Sequence, residues 1–396
     1  MCYGILFGLI PLFIRRKQKI DNSSPNKELL SMVIPVFNDG EMLEKNLQNL
    51  TKLKYPNFEI LIVYSEKSTD RTQEVALKYV SDYPNIRAFT ENVSKGNALN
   101  IGVKNAKGEF ILILDSDTFI FDGFIERAMS YFTNEEIKCV NSVWLGLNTT
   151  QNLITTVQFA MTSNMNFYSV GIAKYLKNVS FCGFGGIFRK RAILDCGGFA
   201  TTASEEAEFT YRVNLMFPKW RGICDDQLFC YQYFTPELKT LYLQQIRWTK
   251  GNWRYNIKWA KKFFSQSIGV RFISMSQLLM VIIFPMFSIF TMGMSIVQFF
   301  ANFFVPNLNF GGGIFFFLLA QINLLMGFSI LCIFIYPKYR GQSKVILSRT
   351  RIFVGVFLIM FICGFIFGIV ALNSLKELVK KGNTDVFIKV DKSNVF

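Results

Sequence analysis

From Glu28 to about residue 140 the chain alternates wholly apolar runs with segments of helical period. The runs are SMVIPVF (31–37), FEILIVY (58–64), IRAFT (86–90) and FILILD (110–115). Between them lie EMLEKNLQNL, DRTQEVALKYV and NALNIGVKNA, whose apolar residues recur as on one helix face. Strands apolar at every position are covered on both sides, and strand-helix alternation implies βαβ units. The pattern therefore predicts an α/β domain over 28–237 with a mainly parallel sheet. Ligands of such sheets sit at the carboxyl ends of strands. Polar residues stand at those ends: Asn38 and Asp39 after the first, Ser65 and Glu66 after the second, Asp115 and Asp117 after the fourth.

A different pattern flanks this region. Residues 1–20 hold an apolar stretch closed by the basic cluster RRKQK. It is shorter than the ~20 residues of a spanning helix, which leaves a signal-anchor, a partial span and an interfacial helix open. The DNSSPN that follows reads as a linker. Residues 238–271 combine Trp with Lys and Arg, the character of interfacial helices in a headgroup region. Three uncharged apolar stretches within 272–375 read as transmembrane helices, the first interrupted by Pro285, and 376–396 form a tail.

Composition strengthens the membrane reading. The 396 residues are 51% hydrophobic and include 43 Phe, more than a soluble domain readily buries. The net charge of +15 is unevenly placed: residues 238–375 carry 13 Lys or Arg and no Asp or Glu. Basic residues that border apolar segments suit membrane lipids and the positive-inside rule, not nucleic acid. The expected placement is a multi-pass plasma-membrane protein with a cytoplasmic catalytic domain. Histidine is absent, which removes the usual parts of zinc sites and of Ser-His catalysis. Carboxylates are left to carry any acid-base chemistry. The eight cysteines show no CxxC spacing and read as reduced and buried.

Four short stretches carry candidate chemistry. Asp115-Ser116-Asp117 after a buried strand suits a divalent cation bridging a diphosphate, because such ions take few protein oxygens and complete their shell from phosphate and water. A polar turn is the alternative. In VSKGNALNIGV, Lys95 stands at a helix start, where an ammonium and backbone N–H groups can meet phosphate. SEEAEF places Glu205, Glu206 and Glu208 so close that they raise one another's pKa, which suits a proton acceptor, while an exposed acidic helix turn is the plainer reading. Helical spacing puts Glu205 and Glu208 on one face and Glu206 on another. In QQIRW, Arg247 and Trp248 also suit an interfacial anchor.

In this order the motifs resemble the membrane-bound family 2 glycosyltransferases of the Rossmann-like GT-A fold. PVFND matches the first-strand motif, YSEKSTDRT the nucleotide turn, SKGNALNIG the following helix, DSD the metal motif, SFCGFGG the acceptor segment, SEEAEF the base motif and QQIRW the Q-x-x-R-W. QQIRWTKGNWRY is most similar to hyaluronan and nodulation chitooligosaccharide synthases, and SFCGFGG to cellulose synthases. The resemblance implies an inverting transfer from a UDP-sugar to a growing polysaccharide. It implies Mg²⁺ or Mn²⁺ on Asp117 with Asp115, and Glu206 as proton acceptor. Arg247 and Gln244 would approach the diphosphate, and Trp248 would stack under the acceptor sugar. Pro35, Asn38, Glu66, Lys95, Asp115, Cys182, Gly183 and Glu205 would line the substrate. The chain departs from the family at Ser65-Glu66-Lys67, where it has Asp-Asp-Gly, and at Glu206, where an Asp is usual. A lipid acceptor, as in ceramide glucosyltransferases, fits the same motifs. The altered positions also admit a catalytically silent membrane scaffold.

Overall fold

The computed structural model describes residues 28–176, 184–202 and 204–264. The membrane segments expected at 1–20 and 272–375, the tail, residues 265–271, and Cys182 with Gly183 lie outside the described residues. Among the described residues no helix is long and apolar enough to cross a membrane.

Seven strands are described: β1 (Leu30–Val36), β2 (Phe58–Tyr64), β3 (Ile86–Thr90), β4 (Phe110–Ile113), β5 (Ile137–Gly146), β6 (Gly186–Arg189) and β7 (Arg221–Gln232). They form one sheet in the order β3-β2-β1-β4-β6-β5-β7. Neighbours pair in parallel except on either side of β6, which is antiparallel to both β4 and β5. The sheet is thus mixed and mostly parallel, as the alternating pattern predicts for its first four strands. The reversed strand has no local signal in the sequence, because direction is set by partners far along the chain.

Helices α1 (Gly40–Leu50), α2 (Thr72–Asp82) and α3 (Lys95–Asn105) link the first four strands. Helices α4 (Phe124–Met129), α5 (Leu153–Leu176), α6 (Lys190–Asp195), α7 (Glu205–Met216) and α8 (Leu238–Phe264) follow. The continuous apolar strands serve two cores. Met32, Ile34, Ile60, Ile62 and Leu112 face one with Leu43 and Leu47 of α1 and Val75 of α2. Val33, Leu61, Ile111 and Ile113, their neighbours in sequence, face the other with Leu99 and Val103 of α3 and Phe209 of α7. Each fully buried aliphatic side chain here contributes about 1.5–3 kcal/mol of transfer free energy. This two-sided burial rigidly fixes the carboxyl ends of β1, β2 and β4, where the polar residues begin.

Candidate active site

The first wall of the site is a set of strand ends tied together by their own side chains. Asn38, held at φ 50, accepts from the Thr69 amide at 2.6 Å, and Asp70 accepts from the Gly40 amide at 2.9 Å. These bonds lock the turn after β2 to the start of α1. After β3, Asn92 Oδ1 accepts from Ser65 Oγ and from the Glu66 amide, both at 3.0 Å, and its Nδ2 donates to Glu66 Oε2 at 3.0 Å. Ser116, between the two aspartates, donates to Asp39 Oδ2. Gln232, at the end of β7, donates to Asp117 Oδ1 at 3.2 Å and to Thr118 Oγ1 at 2.9 Å.

At the centre stands Lys95. Ser94 caps α3 by accepting from the Asn97 amide at 3.1 Å, which starts the helix at the lysine. Gly96 lets the 200–201 backbone come in, since a Cβ there would stand 2.1 Å from the Ala200 carbonyl oxygen. Lys95 Nζ then lies 2.8 Å from Asp115 Oδ1, 2.7 Å from Glu206 Oε1 and 3.1 Å from Glu205 Oε1. Its side chain is 18% exposed and theirs are 25%, 12% and 6%. Burial opposes the charge on Lys95, but Asp115, Glu206 and Glu205 outweigh it and hold its pKa well above the lysine range. Glu206 is pushed up to about 8, chiefly by burial, with Lys95 opposing and Glu205 and Asp115 adding.

The second wall is α8. Gln244, Arg247, Trp248 and Gly251 recur at helical spacing and all face α7 or the cleft. A Cβ at Gly251 would lie 1.9 Å from Ser204 Oγ, so glycine is what allows α8 to lie against the start of α7. Further along the same face, Tyr255 packs on Tyr211 with ring centroids 4.5 Å apart, and Trp259 Nε1 donates to Glu208 Oε1 at 3.3 Å. Between the walls is a cleft of about 600 Å³, within the usual range for small-ligand sites. Thr202 Oγ1, Ser204 Oγ and Arg247 Nε are buried with no hydrogen-bond partner among the described residues, and all three residues line the cleft.

The structure therefore brings Pro35, Lys95, Asp115, Asp117, Glu205, Glu206, Gln244, Arg247 and Trp248 into one cleft. Asn38 and Glu66 are not in its lining; Asn38 braces the turn after β2 and Glu66 is exposed beside Asn92. Lys95 meets three carboxylates at the helix start. One expectation needs correction. Helical spacing grouped Glu205 with Glu208, but Glu205 and Glu206 share Lys95 while Glu208 pairs with Arg212 at 3.0 Å. The cause is the first helical turn, whose two side chains bend toward one ammonium. Asn92 and Gln232 escaped sequence reasoning. Both follow the rule that picked out the other polar residues, since each stands at or just after the end of a strand, β3 and β7.

Among the described residues no group of three acidic, Cys or His side chains could hold a metal alone. Asp115 and Asp117 fit a divalent ion only as part of a shared shell, with the remaining oxygens from a bound diphosphate and water. The orphaned Thr202, Ser204 and Arg247 atoms fit such a ligand, since buried polar groups without partners are rare.

A mostly parallel sheet thus presents paired carboxylates at a strand end, with a basic-aromatic helix across the cleft. Residues 31–198 match the model of glycosyl transferase family 2. Its curated relatives include poly-beta-1,6-N-acetyl-D-glucosamine synthase of Staphylococcus aureus strain COL, 26% identical over 246 residues, or 59% of this chain and 57% of that one. The synthase of Staphylococcus epidermidis is 24% identical over 259 residues, 63% of this chain and 62% of that one. The matched region thus spans about 57–62% of the length of these relatives. Among solved structures, mannosyltransferase PcManGT from Pyrobaculum calidifontis, in complex with GDP-Man and Mn2+, has a TM-score of 0.59 and 14% identity. It covers 96% of this chain and 95% of its own, a likeness of fold. The fold is that of the GT-A glycosyltransferases.

Proposed function

We propose that this protein is an inverting glycosyltransferase that moves a sugar from a UDP-sugar to a growing β-linked polysaccharide at the membrane. The observation that carries the reading is the Lys95 cluster. One ammonium joins Asp115, on the donor wall, to Glu206, which with Arg247 and Trp248 lines the same cleft. Both halves of a group transfer are then within one enclosure. The relatives' names make UDP-N-acetylglucosamine the donor to try first.

Each residue has a task in that reaction. Glu206 accepts the proton of the acceptor hydroxyl as the new C–O bond forms at the anomeric carbon. The bond from that carbon to the diphosphate breaks, and its electron pair leaves with UDP. A carboxylate that burial has pushed up to about 8 is a stronger base than an exposed one, which suits the transfer near neutral pH. Arg247, whose Nε is unpartnered, binds the diphosphate with Gln244 beside it, and Trp248 offers an apolar face to the acceptor ring. Asp115 and Asp117 would hold Mg²⁺ or Mn²⁺ with the diphosphate, and that ion would offset the charge growing on the leaving group. Residues 238–271 would rest on membrane lipids, with 272–375 crossing the bilayer.

The test gives membranes containing the full chain radiolabelled UDP-N-acetylglucosamine and UDP-glucose in parallel. The reading expects a large water-soluble or insoluble polymer. Label extracted into organic solvent would replace the acceptor by a lipid, and no incorporation from any UDP-sugar would overturn the assignment.

A further inference from the structure

We propose that Gln232 is a positioning residue that fixes the Asp117 carboxylate for donor binding. The inference rests on the reading of Asp117 as a donor-side group, and it begins from how the segment after β4 is held. Asp115 is bound by Lys95, Ser116 by Asp39, and Phe119 exchanges two backbone bonds with Tyr231, at 2.8 and 2.9 Å. The Asp115 carbonyl accepts from the Thr118 amide at 3.0 Å, and the Ile120 carbonyl from Asn49 Nδ2 at 2.7 Å. Within this clamp the Asp117 side chain receives a neutral donor, the Gln232 amide, reaching across 115 positions of sequence.

The delivery is rigid. Tyr231, the preceding residue, is bridged to Phe119, and the carbonyl of Gln232 accepts from the Leu147 amide at 2.8 Å just past the end of β5. Gln232 is 8% exposed, Asp117 4% and Thr118 0%, so water does not compete freely for these bonds. The amide donates from one nitrogen to both Asp117 Oδ1 and Thr118 Oγ1, which sets the angle as well as the distance of the carboxylate.

The chemistry of an amide at this place is specific. A lysine or arginine would supply a hydrogen bond and also a positive charge, in competition with a cation for the same carboxylate. Glutamine holds the oxygen and leaves the charge of Asp117 in place. Outer groups of this kind orient a ligating oxygen, and their loss typically costs ~10–100-fold in metal affinity. Gln232 also lines the small cavity behind the cleft together with Trp144, Gln244 and Trp248, so it is a shared wall of the two spaces.

The experiment is a double-mutant cycle on the full chain in detergent, with UDP affinity measured in Mn²⁺ and in EDTA. Gln232→Met keeps the length of the side chain and removes its donors. The expectation is a loss of about tenfold in Mn²⁺-dependent UDP affinity, within the range known for such outer groups. In EDTA the same variant binds UDP as the parent does. In an Asp117→Asn background, Gln232→Met has no further effect, because the residue acts through Asp117. An equal loss in both backgrounds, or in EDTA, would make the role purely structural and overturn the proposal. Undiminished Mn²⁺-dependent affinity in Gln232→Met overturns it while leaving the transferase reading intact. A parent chain whose UDP affinity is the same in Mn²⁺ and EDTA removes the metal role, and this inference with it.

Discussion

On the wall built from the ends of β1 to β4, polar side chains satisfy one another. Ser65 and Glu66 are tied to Asn92, Asp39 to Ser116, Asn38 to the turn at Thr69 and Asp117 to Gln232. On the facing wall, Thr202 Oγ1, Ser204 Oγ and Arg247 Nε are buried and lack partners among the described residues. Leaving such a group unsatisfied costs about 1–3 kcal/mol. The first wall is therefore tied together by its own side chains, whereas in the proposed reaction the second is completed by a ligand. Lys95 joins the two, and each prediction below attacks a different part of that contrast.

The largest effect belongs to Lys95→Met. It removes the shared cation and leaves Asp115, Glu205 and Glu206 together in a buried space, a change of the kind that costs about 3–5 kcal/mol. Denaturant titration of the full chain should show that loss, and transfer should fall more than about 100-fold. Adding Glu205→Gln to the same chain should recover part of the stability by removing one of the stranded charges. Parent-like stability in Lys95→Met would mean that the walls are held by something else.

The pH dependence comes next. Burial, Glu205 and Asp115 raise Glu206 to about 8 against the pull of Lys95. A proton acceptor must be ionised, so kcat/KM should rise about tenfold per pH unit below 8 and level off above it. Lys95, held well above the lysine range, stays charged across that window. A profile flat from pH 6 to 9 would remove the raised carboxylate from the rate equation.

Arg247→Lys should weaken UDP binding about 10–100-fold, because lysine lacks the planar fork and leaves the diphosphate with a charge-assisted bond fewer. Trp248→Phe should depress transfer more than hydrolysis of the donor without acceptor. Near-parent rates in both variants would return this face of α8 to a purely anchoring role. The smallest effect is Gly251→Ala, whose methyl meets Ser204 Oγ and Cβ. Rotation moves the Oγ but not the Cβ at 2.5 Å, so α8 must shift slightly, and a cost of about 1–3 kcal/mol with a few-fold rise in KM is expected, both on the second wall only. A loss of hydrogen-exchange protection in the β1–β4 region would contradict that confinement.

The same contrast explains what the sequence could disclose. β2 and β3 lie where their apolar runs predict, and β1, β4 and the three helices between them within about two residues, because two-sided burial writes itself into every position. The tied wall was half legible: Asp115, Asp117 and Glu66 stand at strand ends, but Asn92 and Gln232, which hold them, were missed. Nothing in local periodicity says that residue 232 returns to residue 117. The reversed β6 and the β5-β7 pairing, with its two register shifts, are equally long-range. On the second wall, spacing of Gln244, Arg247, Trp248 and Gly251 marks a helix face, yet only the packed structure shows that α7 is its partner. Resemblance to a motif points to Glu206 among its neighbours; geometry separates it from Glu208, which Arg212 and Trp259 hold, while Glu205 shares Lys95 and the cleft with it.

The most direct test of the account replaces that one carboxylate. Glu206→Gln in the full chain, assayed with radiolabelled UDP-N-acetylglucosamine beside a UDP-binding measurement, should lose transfer by about 100–10,000-fold while UDP affinity stays within a factor of two. Glu208→Gln, assayed in parallel, should lower thermal stability and retain the chemistry. Substantial transfer by Glu206→Gln, or a dead Glu208→Gln of parent stability, would contradict the placement of the base beside Lys95 and with it the joining of the two walls in one reaction.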